Sequence, residues 1–259
     1  ITCDVDIIKF QKRDIKGILN NPKYDVPHPN PQNSYGETYA KHRQALEFSQ
    51  EQHANLKNLC EENGKIYASS VWDIVSAKHI LELDPKILKI PSAHNLDFEL
   101  INYICANFNG EIHLSLGMTY KNEIEEIINF FKEKNKLNRL VLYYCKSTYP
   151  CKEEDLNLLQ ISILKEKYSN QIKAIGFSGH HVGISVDIAA LTLGARYFER
   201  HFTLDRTFKG TDHAASLAPD GLRRLTRNIR EAYLALNHWD GSLDEDELYQ
   251  RNKLKHISK

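Results

Sequence analysis

Several features are scarce in this 259-residue sequence, and each scarcity excludes a class of protein. No apolar run approaches the roughly 20 residues needed to span a bilayer, and no hydrophobic signal core follows the first residues. Only five cysteines occur, without a CxxC pair, so reduced thiols are expected instead of a disulfide framework. Basic and acidic residues both number 34, so no net charge attracts nucleic acid. We therefore expect a cytoplasmic protein with a small ligand and with neither a membrane nor a nucleic-acid partner.

Short runs of β-branched and aromatic residues alternate with amphipathic segments, which is typical of repeated βα units. The predicted strands are Asp6–Phe10, Ile66–Ser70, Ile87–Pro91, Ile112–Leu116, Leu140–Cys145, Ala174–Ser178 and Tyr197–Phe202. Helical periodicity runs through segments that include Tyr39–Asn63, Asn122–Lys136, Glu153–Tyr168, Ile184–Leu193 and Gly221–Leu236. Seven such units favour an α/β fold, a (β/α)8 TIM barrel lacking its first βα unit, over an open doubly wound sheet.

Two segments fall outside this alternation. Asn20–Gly36 is dense in proline, asparagine and glycine and follows the first strand, so it is predicted to be a long loop over the top of the barrel. Residues 237–259 are strongly charged and lose hydrophobic periodicity. We therefore place one barrel domain at residues 1–236 and predict a charged C-terminal tail or linker at 237–259.

Polar residues stand at nearly every predicted strand end. Enzymes built on parallel barrels carry their reactive side chains at the carboxyl ends of the strands. Here these ends provide Lys9, Gln11, Ser69, Ser70, Ser92, His94, Ser115, Ser147, Tyr149, Ser178, His180, Glu199 and His201. A lysine, hydroxyls, imidazoles and a carboxylate at one mouth indicate a polar, anionic ligand.

The individual residues leave alternatives open at this point. His180 and His201 end adjacent strands and could bind a metal ion, but structural histidines or a general base fit the spacing as well. His181 is predicted to point away from that face. Lys9 is either a phosphate ligand or a solvated lysine.

The last predicted strand carries a further pair. Glu199 and His201 are two residues apart and project to the same side, while Arg200 faces away, so they could divide acid/base and metal roles. The following segment, Leu204–Leu217, places basic residues and Asp212 around Gly210. It is either a loop that closes over substrate or an ordinary surface loop.

Long stretches of the sequence, from Asp6 to about Ala235, closely resemble the N-acetylneuraminate (sialic acid) synthase family. The matching stretches are Lys9–Arg13 (KFQKR), Tyr35–Ser49, Ser115–Met118 (SLGM), Tyr143–Pro150 (YYCKSTYP), Gly176–Ala195 and Glu199–Leu217 (ERHFTLDRTFKGTDHAASL). The last two stretches are long and specific, so a chance match is negligible.

The resemblance implies a barrel enzyme that condenses phosphoenolpyruvate with an N-acetylmannosamine-like sugar aldehyde, forming a nonulosonic acid and releasing phosphate. It implies a divalent cation, usually manganese with magnesium or cobalt as alternatives, held by His180 and His201. Phosphoenolpyruvate would be held by Lys9, Ser115, Ser147 and Ser178. The sugar side and proton transfer would fall to Gln11, Tyr149, Glu199 and Asp212.

Three departures from the family pattern limit this expectation. The family's first strand, which carries a catalytic glutamate, has no counterpart here. The family's antifreeze-like domain, which reaches across a dimer, also has none, and a homodimer is left open. His94, in the stretch Pro91–Asn95, stands where relatives have an acidic sugar-binding residue, so the sugar could differ from N-acetylmannosamine. We keep two alternative functions: a non-catalytic or partner-dependent barrel remnant, and a metal-dependent sugar isomerase or epimerase.

Overall fold

A computed structural model describes residues 2–256, and in it seven parallel strands form one sheet. The strands are β1 (Ile7–Lys12), β2 (Ile66–Val71), β3 (Ile87–Ile90), β4 (Glu111–Ser115), β5 (Leu140–Cys145), β6 (Ala174–Gly179) and β7 (Tyr197–Arg200). Each strand pairs with the next along the chain, so the sheet order is the sequence order. All seven predicted strands are present, with ends that shift by no more than two residues.

Helices connect the successive strands, and two more helices follow β7. They are α1 (Ile15–Leu19), α2 (Tyr39–Leu46), α3 (Gln50–Glu62), α4 (Ile74–Leu81), α5 (Phe98–Asn107), α6 (Lys121–Glu133), α7 (Gln160–Tyr168), α8 (Ser185–Leu193), α9 (Pro219–Ala235) and α10 (Glu245–Leu254). In the described chain, no helix combines the length and the apolar character that crossing a membrane requires.

Contacts between side chains of its two edge strands show that the sheet is curled. β1 and β7 lie at opposite ends of the strand order, yet Lys9 Nζ lies 3.5 Å from Glu199 Oε2. Lys89, from the third strand, reaches the same carboxylate. A flat sheet of seven strands would hold β1 and β7 far apart, since neighbouring strands are about 4.8 Å apart. The architecture is therefore a curled, parallel α/β sheet, and the count of eight units stays a prediction.

The two faces of the curled sheet differ in chemistry. Outward-facing residues such as Leu88, Leu114 and Phe177 are fully buried against the helices, in a core that includes Ile104 and Ile127. Burying side chains of this size stabilises the fold by about 1.5–3 kcal/mol each. The alternation of side chains along each strand then directs the polar residues to the inner face. The strands are therefore apolar on the helix side and polar on the side that faces the mouth.

The segment Tyr39–Asn63, expected as one amphipathic stretch, forms two helices instead. The break between α2 and α3 covers Glu47–Ser49. Ser49 begins α3 with a capping box, in which its hydroxyl accepts from the Gln52 N–H and the Gln52 side chain accepts from the Ser49 N–H. The Glu47 carboxylate accepts from Lys12 Nζ at 3.0 Å and from the Arg13 N–H at 2.9 Å. Through Glu47, the segment between α2 and α3 is therefore hydrogen-bonded to the end of β1.

The region after β7 differs from expectation in two places. The strand ends at Arg200, and Phe202 makes only an isolated bridge to Leu217. The predicted tail contains the helix α10, which Asp244 caps and which has no buried residue. A helix with no buried face is held by its own backbone hydrogen bonds and by solvated charges, so hydrophobic periodicity could not reveal it.

Candidate active site

Three charged side chains converge on the inner face of the sheet. Lys89 Nζ lies 2.6 Å from Glu199 Oε2, and Lys9 Nζ lies 3.5 Å from the same oxygen. Lys9 also donates to Ser70 Oγ at 3.1 Å. Ser178 donates to the other Glu199 oxygen at 3.0 Å. Two cations, a carboxylate and two hydroxyls thus form one cluster, which we call the lysine cluster: Lys9, Ser70, Lys89, Ser178 and Glu199.

The electrostatics of this cluster follow from burial. Burial alone would raise the pKa of Glu199, but the charges of Lys89 and Lys9 outweigh it and hold that pKa well below its usual range. Glu199 is therefore ionised and is a weak proton acceptor. Lys89, with 2% of its side chain exposed, has a pKa lowered by burial. Its ammonium also lies 3.9 Å from the centre of the Tyr143 ring, which favours the cation.

Sequence reasoning missed Lys89. It lies inside β3, in the run ILKI, where a buried strand normally carries only apolar residues. A lysine in an otherwise apolar strand could have predicted this site. A buried charge needs a partner of opposite charge, so such a lysine indicates polar groups inside the sheet.

A group of small side chains lies at the ends of β3, β4 and β5. Ser92 Oγ accepts from the Gly117 N–H at 3.0 Å. A Cβ at Gly117 would collide with Ser147 Oγ, so only glycine allows this approach. Ser147 Oγ is buried with no hydrogen-bond partner among residues 2–256. Ser115 is buried nearby, and its carbonyl accepts from Asn95 Nδ2 at 2.9 Å. Ser147 thus has a free hydroxyl for a ligand.

The two histidines proposed for metal binding face each other. The ring centres of His180 and His201 are 5.5 Å apart. His180 Nδ1 lies 2.7 Å from the Lys146 carbonyl, so that nitrogen carries the proton and Nε2 keeps its lone pair. Burial lowers the pKa of His180 to about 4 and also lowers that of His201. Both rings are therefore neutral at pH 7, the state that ligates a metal.

The donor set fits a cation with two protein ligands. Within residues 2–256, no three or more His, Cys, Asp or Glu side chains form a metal-binding group. A cation here would therefore take two imidazole nitrogens and complete its shell from ligand or solvent oxygens, as Mn²⁺ and Mg²⁺ readily do. His181 points to the other side, where its Nε2 lies 3.2 Å from Asp187 Oδ2.

The remaining candidates lie around this pair at the mouth. The Tyr149 ring packs against His180 with ring centres 4.2 Å apart, and burial raises the pKa of Tyr149 to about 12. Asp212 Oδ2 lies 3.5 Å from His201 Nδ1. The Gln11 side-chain oxygen accepts from Arg13 Nη2 at 2.7 Å. Tyr149 and Asp212 thus contact the histidines directly, whereas Gln11 contacts the neighbouring arginine.

His94 lies apart from the lysine cluster. Its ring packs edge-on against Trp72, with ring centres 5.5 Å apart, and its Nδ1 lies 3.5 Å from Asp97 Oδ2. It lies in a single helical turn directly after β3, with 31% of its side chain exposed. His94 is therefore at the rim, and within residues 2–256 its ring makes no hydrogen bond with the histidine pair or the lysines.

Two loops meet above the mouth. The Asn20–Gly36 loop follows β1, and the Leu204–Leu217 loop follows β7. The Tyr35 hydroxyl donates to the Lys209 carbonyl, and the Gly210 N–H lies 3.5 Å from Asn33 Oδ1. The loops of the two edge strands therefore contact each other.

The five cysteines are free and buried, as the absence of CxxC pairs indicated. Cys145 lies at the end of β5, 3.4 Å from Ser92 Oγ, and burial raises its pKa. A buried thiol with a raised pKa is a poor nucleophile, so the site chemistry rests on the lysines and histidines.

Comparisons with known proteins identify the family. The sequence matches the NeuB family over residues 1–240. It is 33% identical over 234 residues to the N-acetylneuraminate-9-phosphate synthase of Homo sapiens. This match covers 90% of this chain and 64% of that protein. It is 32% identical over 248 residues to the N,N'-diacetyllegionaminic acid synthase of Campylobacter jejuni. This match covers 95% of this chain and 72% of that protein.

A solved structure shares the fold. The N-acetylneuraminic acid (sialic acid) synthetase from Leptospira borgpetersenii matches with a TM-score of 0.80 at 26% identity, covering 98% of this chain and 84% of that one. The chain spans 58–64% of the length of its human, fly and mouse relatives. Because the family match extends over most of the sequence and the fold recurs in that structure, the chain belongs to the NeuB family.

Proposed function

We propose that this protein condenses phosphoenolpyruvate with an N-acetylmannosamine-like aldose, forming a nonulosonic acid and releasing inorganic phosphate. The observation that carries the proposal is the lysine cluster beside two neutral histidines at the carboxyl ends of parallel strands. The cluster suits a small, highly charged anion, and the imidazoles suit a cation that binds an aldehyde oxygen. An isomerase or epimerase would need no such anion site.

Lys9, Lys89 and the serines would hold phosphoenolpyruvate. Lysine ammonium groups supply compact positive charge, and serine hydroxyls supply short donors to phosphate oxygens. Two observations support this role: Ser178 donates to Glu199, and Ser147 Oγ has no hydrogen-bond partner among residues 2–256. Ser115 is buried at the end of β4. Glu199 would hold both lysines in position until the anion binds.

His180 and His201, as neutral imidazoles, would hold a divalent cation. When bound, that cation would supply a Lewis acid for the aldehyde carbonyl of the sugar. The hydrogen bond from His180 to the Lys146 carbonyl would fix the ring's orientation. Asp212 would do the same for His201.

The bond changes balance with water as the one further reactant. The methylene carbon (C3) of phosphoenolpyruvate attacks the aldehyde carbon, forming the C–C bond, and the aldehyde oxygen takes a proton. Water adds to C2, the carbon that bears the phosphate ester, and loses a proton. The C2 hydroxyl then gives up its proton as the C2–O bond to phosphate breaks, leaving a ketone and hydrogen phosphate. Tyr149 and Asp212, beside the histidines, would position the sugar and carry these protons, with Gln11 on the same side.

The proposal is tested by incubating the full chain with phosphoenolpyruvate, Mn²⁺ and a panel of aldoses that includes N-acetylmannosamine. We expect phosphate release that depends on the aldose and a product that retains the three carbons of phosphoenolpyruvate. Interconversion of the aldoses without phosphoenolpyruvate would support an isomerase instead, and the panel would show which sugar the His94 rim accepts.

A further inference from the structure

Arg200 is a buried cation at the end of β7, immediately before His201, and the proposed reaction does not use it. Its side chain has 2% of its surface exposed. Nη1 donates to Asp187 Oδ2 at 2.6 Å and to the Gly183 carbonyl at 2.9 Å. Nη2 donates to the His181 carbonyl at 2.7 Å. One guanidinium group therefore holds both the loop after β6 and the first turn of α8.

The contacts of Arg200 begin where the pairing of β6 with β7 ends. The last registered pair of the two strands is Gly179 with Arg200. His180 and His201 are the next residues on their strands, so both imidazoles lie just beyond the pairing. Strand pairing alone does not determine how the two chains run on from there. The hydrogen bond from Arg200 to the His181 carbonyl continues the connection between the chains past the last pair.

The packing around the guanidinium group is close. A Cβ at Gly179 would come within 2.9 Å of the His181 ring and within 3.1 Å of Arg200 Cδ, so glycine makes room for both side chains. The His181 ring stacks on Phe177 with ring centres 5.9 Å apart. Its Nε2 lies 3.2 Å from Arg200 Nη1. The His181 ring therefore fills the space beside the guanidinium group and restricts its position.

The ion pair between Arg200 and Asp187 is enclosed but incompletely hydrogen-bonded. The Asp187 side chain is 0% exposed, and its Oδ1 has no hydrogen-bond partner among residues 2–256. Because taking two charges out of water is costly, a buried pair is often no more stabilising than apolar side chains of similar volume. Net stability is therefore a poor explanation for the pair. The loop position that its hydrogen bonds define is a better one.

We propose that Arg200 is a positioning residue that, together with Asp187, sets the spacing of the His180 and His201 imidazoles. The inference rests on the proposed function, in which these imidazoles bind the cation. Arg200 is adjacent to His201 in the chain, and its guanidinium group bonds the carbonyl of the residue after His180. It therefore fixes one ligand relative to the other. Removing a group that orients a metal-binding histidine lowers metal affinity by about 10–100-fold.

The first experiment measures Mn²⁺ affinity by calorimetry on the chelator-treated full chain, without substrates. Arg200→Met alone would leave Asp187 as a buried charge without its partner, so the test variant combines Arg200→Met with Asp187→Leu. Urea unfolding at pH 7 should stay near wild type, because apolar side chains replace both charges. Mn²⁺ affinity should fall by at least about tenfold. The matched control is Arg196→Met, since that arginine precedes β7 and donates to the Leu191 carbonyl in α8. It should keep wild-type affinity.

A second variant, Arg200→Lys, keeps the charge beside Asp187. Lysine presents a single nitrogen, so it cannot bond Asp187 and the His181 carbonyl from two ends of a planar group. Mn²⁺ affinity should lie between those of the wild type and the double variant. Raising the Mn²⁺ concentration should restore phosphate release, while KM for phosphoenolpyruvate stays near wild type because the lysine cluster is intact.

The outcomes separate this inference from the proposed function. Wild-type Mn²⁺ affinity in a folded double variant would overturn the positioning role and leave the proposed function standing. If the double variant does not fold and Arg200→Lys binds Mn²⁺ as the wild type does, Arg200 serves folding alone. Absence of Mn²⁺ binding in the wild type would overturn the cation assignment, and the positioning role with it.

Discussion

Lys89 is almost completely buried, with 2% of its surface exposed. Its ammonium contacts a carboxylate and an aromatic ring, so its charge is matched inside the protein. A lysine held in this way provides fixed positive charge where water is excluded, and such charge attracts an anion more strongly than a solvated lysine does.

The first prediction concerns this charge. Lys89→Met keeps the length of the side chain but removes the ammonium, so kcat/KM for phosphoenolpyruvate should fall by at least about tenfold. Lys86→Met, an exposed lysine just before β3, is the control and should remain near wild type. Wild-type kcat/KM in the Lys89 variant would show that the lysine serves folding alone.

A second prediction concerns the histidine pair. His180→Ala and His201→Ala should each abolish phosphoenolpyruvate-dependent activity and lower the affinity for Mn²⁺, because each removes one of two imidazole ligands. Mn²⁺ affinity is measured by calorimetry on chelator-treated protein. His238→Ala, at an exposed position of the tail, should retain both properties. Full activity of either active-site variant in chelator would disprove the metal assignment.

At the scale of elements, a second polar network lies at the opposite end of the strands. The Tyr143 hydroxyl donates to His113 Nδ1 at 3.0 Å, and His113 Nε2 lies 3.3 Å from Glu111 Oε2. The Tyr197 hydroxyl donates to the same oxygen at 3.0 Å. A Cβ at Gly176 would come within 2.7 Å of the Tyr143 ring, so glycine makes room for it. This network links β4, β5 and β7 across the inner face.

The third prediction follows from the network. The hydrogen bond from His113 lowers the pKa of Glu111 from 4.5 to about 2, against the effect of burial and with help from Lys173 and Tyr197. A lowered carboxylate pKa stabilises the fold fully above pH 4.5, and the contribution is lost as the pH falls towards 2. Between these values the wild type should therefore lose more stability than Glu111→Gln does.

Urea unfolding at pH 7, 4 and 3 measures this difference. Glu166→Gln, at an exposed position of α7, is the control and should follow the wild type at each pH. If Glu111→Gln also loses stability as steeply as the wild type, the network does not contribute to acid sensitivity.

Elements differed in how well the sequence predicted them. The strands were predictable because each is a short β-branched or aromatic run buried against helices. The helices α4 and α5 were not singled out, and the break before α3 was missed, because these depend on capping side chains such as Ser49 and Asp73. Capping is a local hydrogen bond, and hydrophobic periodicity does not report it.

At the scale of the whole molecule, the sequence predicted that polar residues gather at the strand ends. It did not predict which side chains meet on the inner face of the sheet. Polar strand ends indicated where a site would lie, and the family resemblance assigned roles to its residues. The meeting of Lys89 with Glu199, 110 residues later, depends on the curl and register of the sheet. Arg13 was named only within a matching stretch, because its burial against the Trp72 ring is visible only in three dimensions.

The contact between the loops of the two edge strands has a kinetic consequence. Separating the loops would break two hydrogen bonds of about 0.5–1.5 kcal/mol each, which is little resistance. Loops of this kind move in nanoseconds to microseconds, whereas a typical enzyme completes about ten turnovers per second. The entrance would therefore open many times in each catalytic cycle. In the proposed reaction, separation of these two loops would therefore not limit turnover.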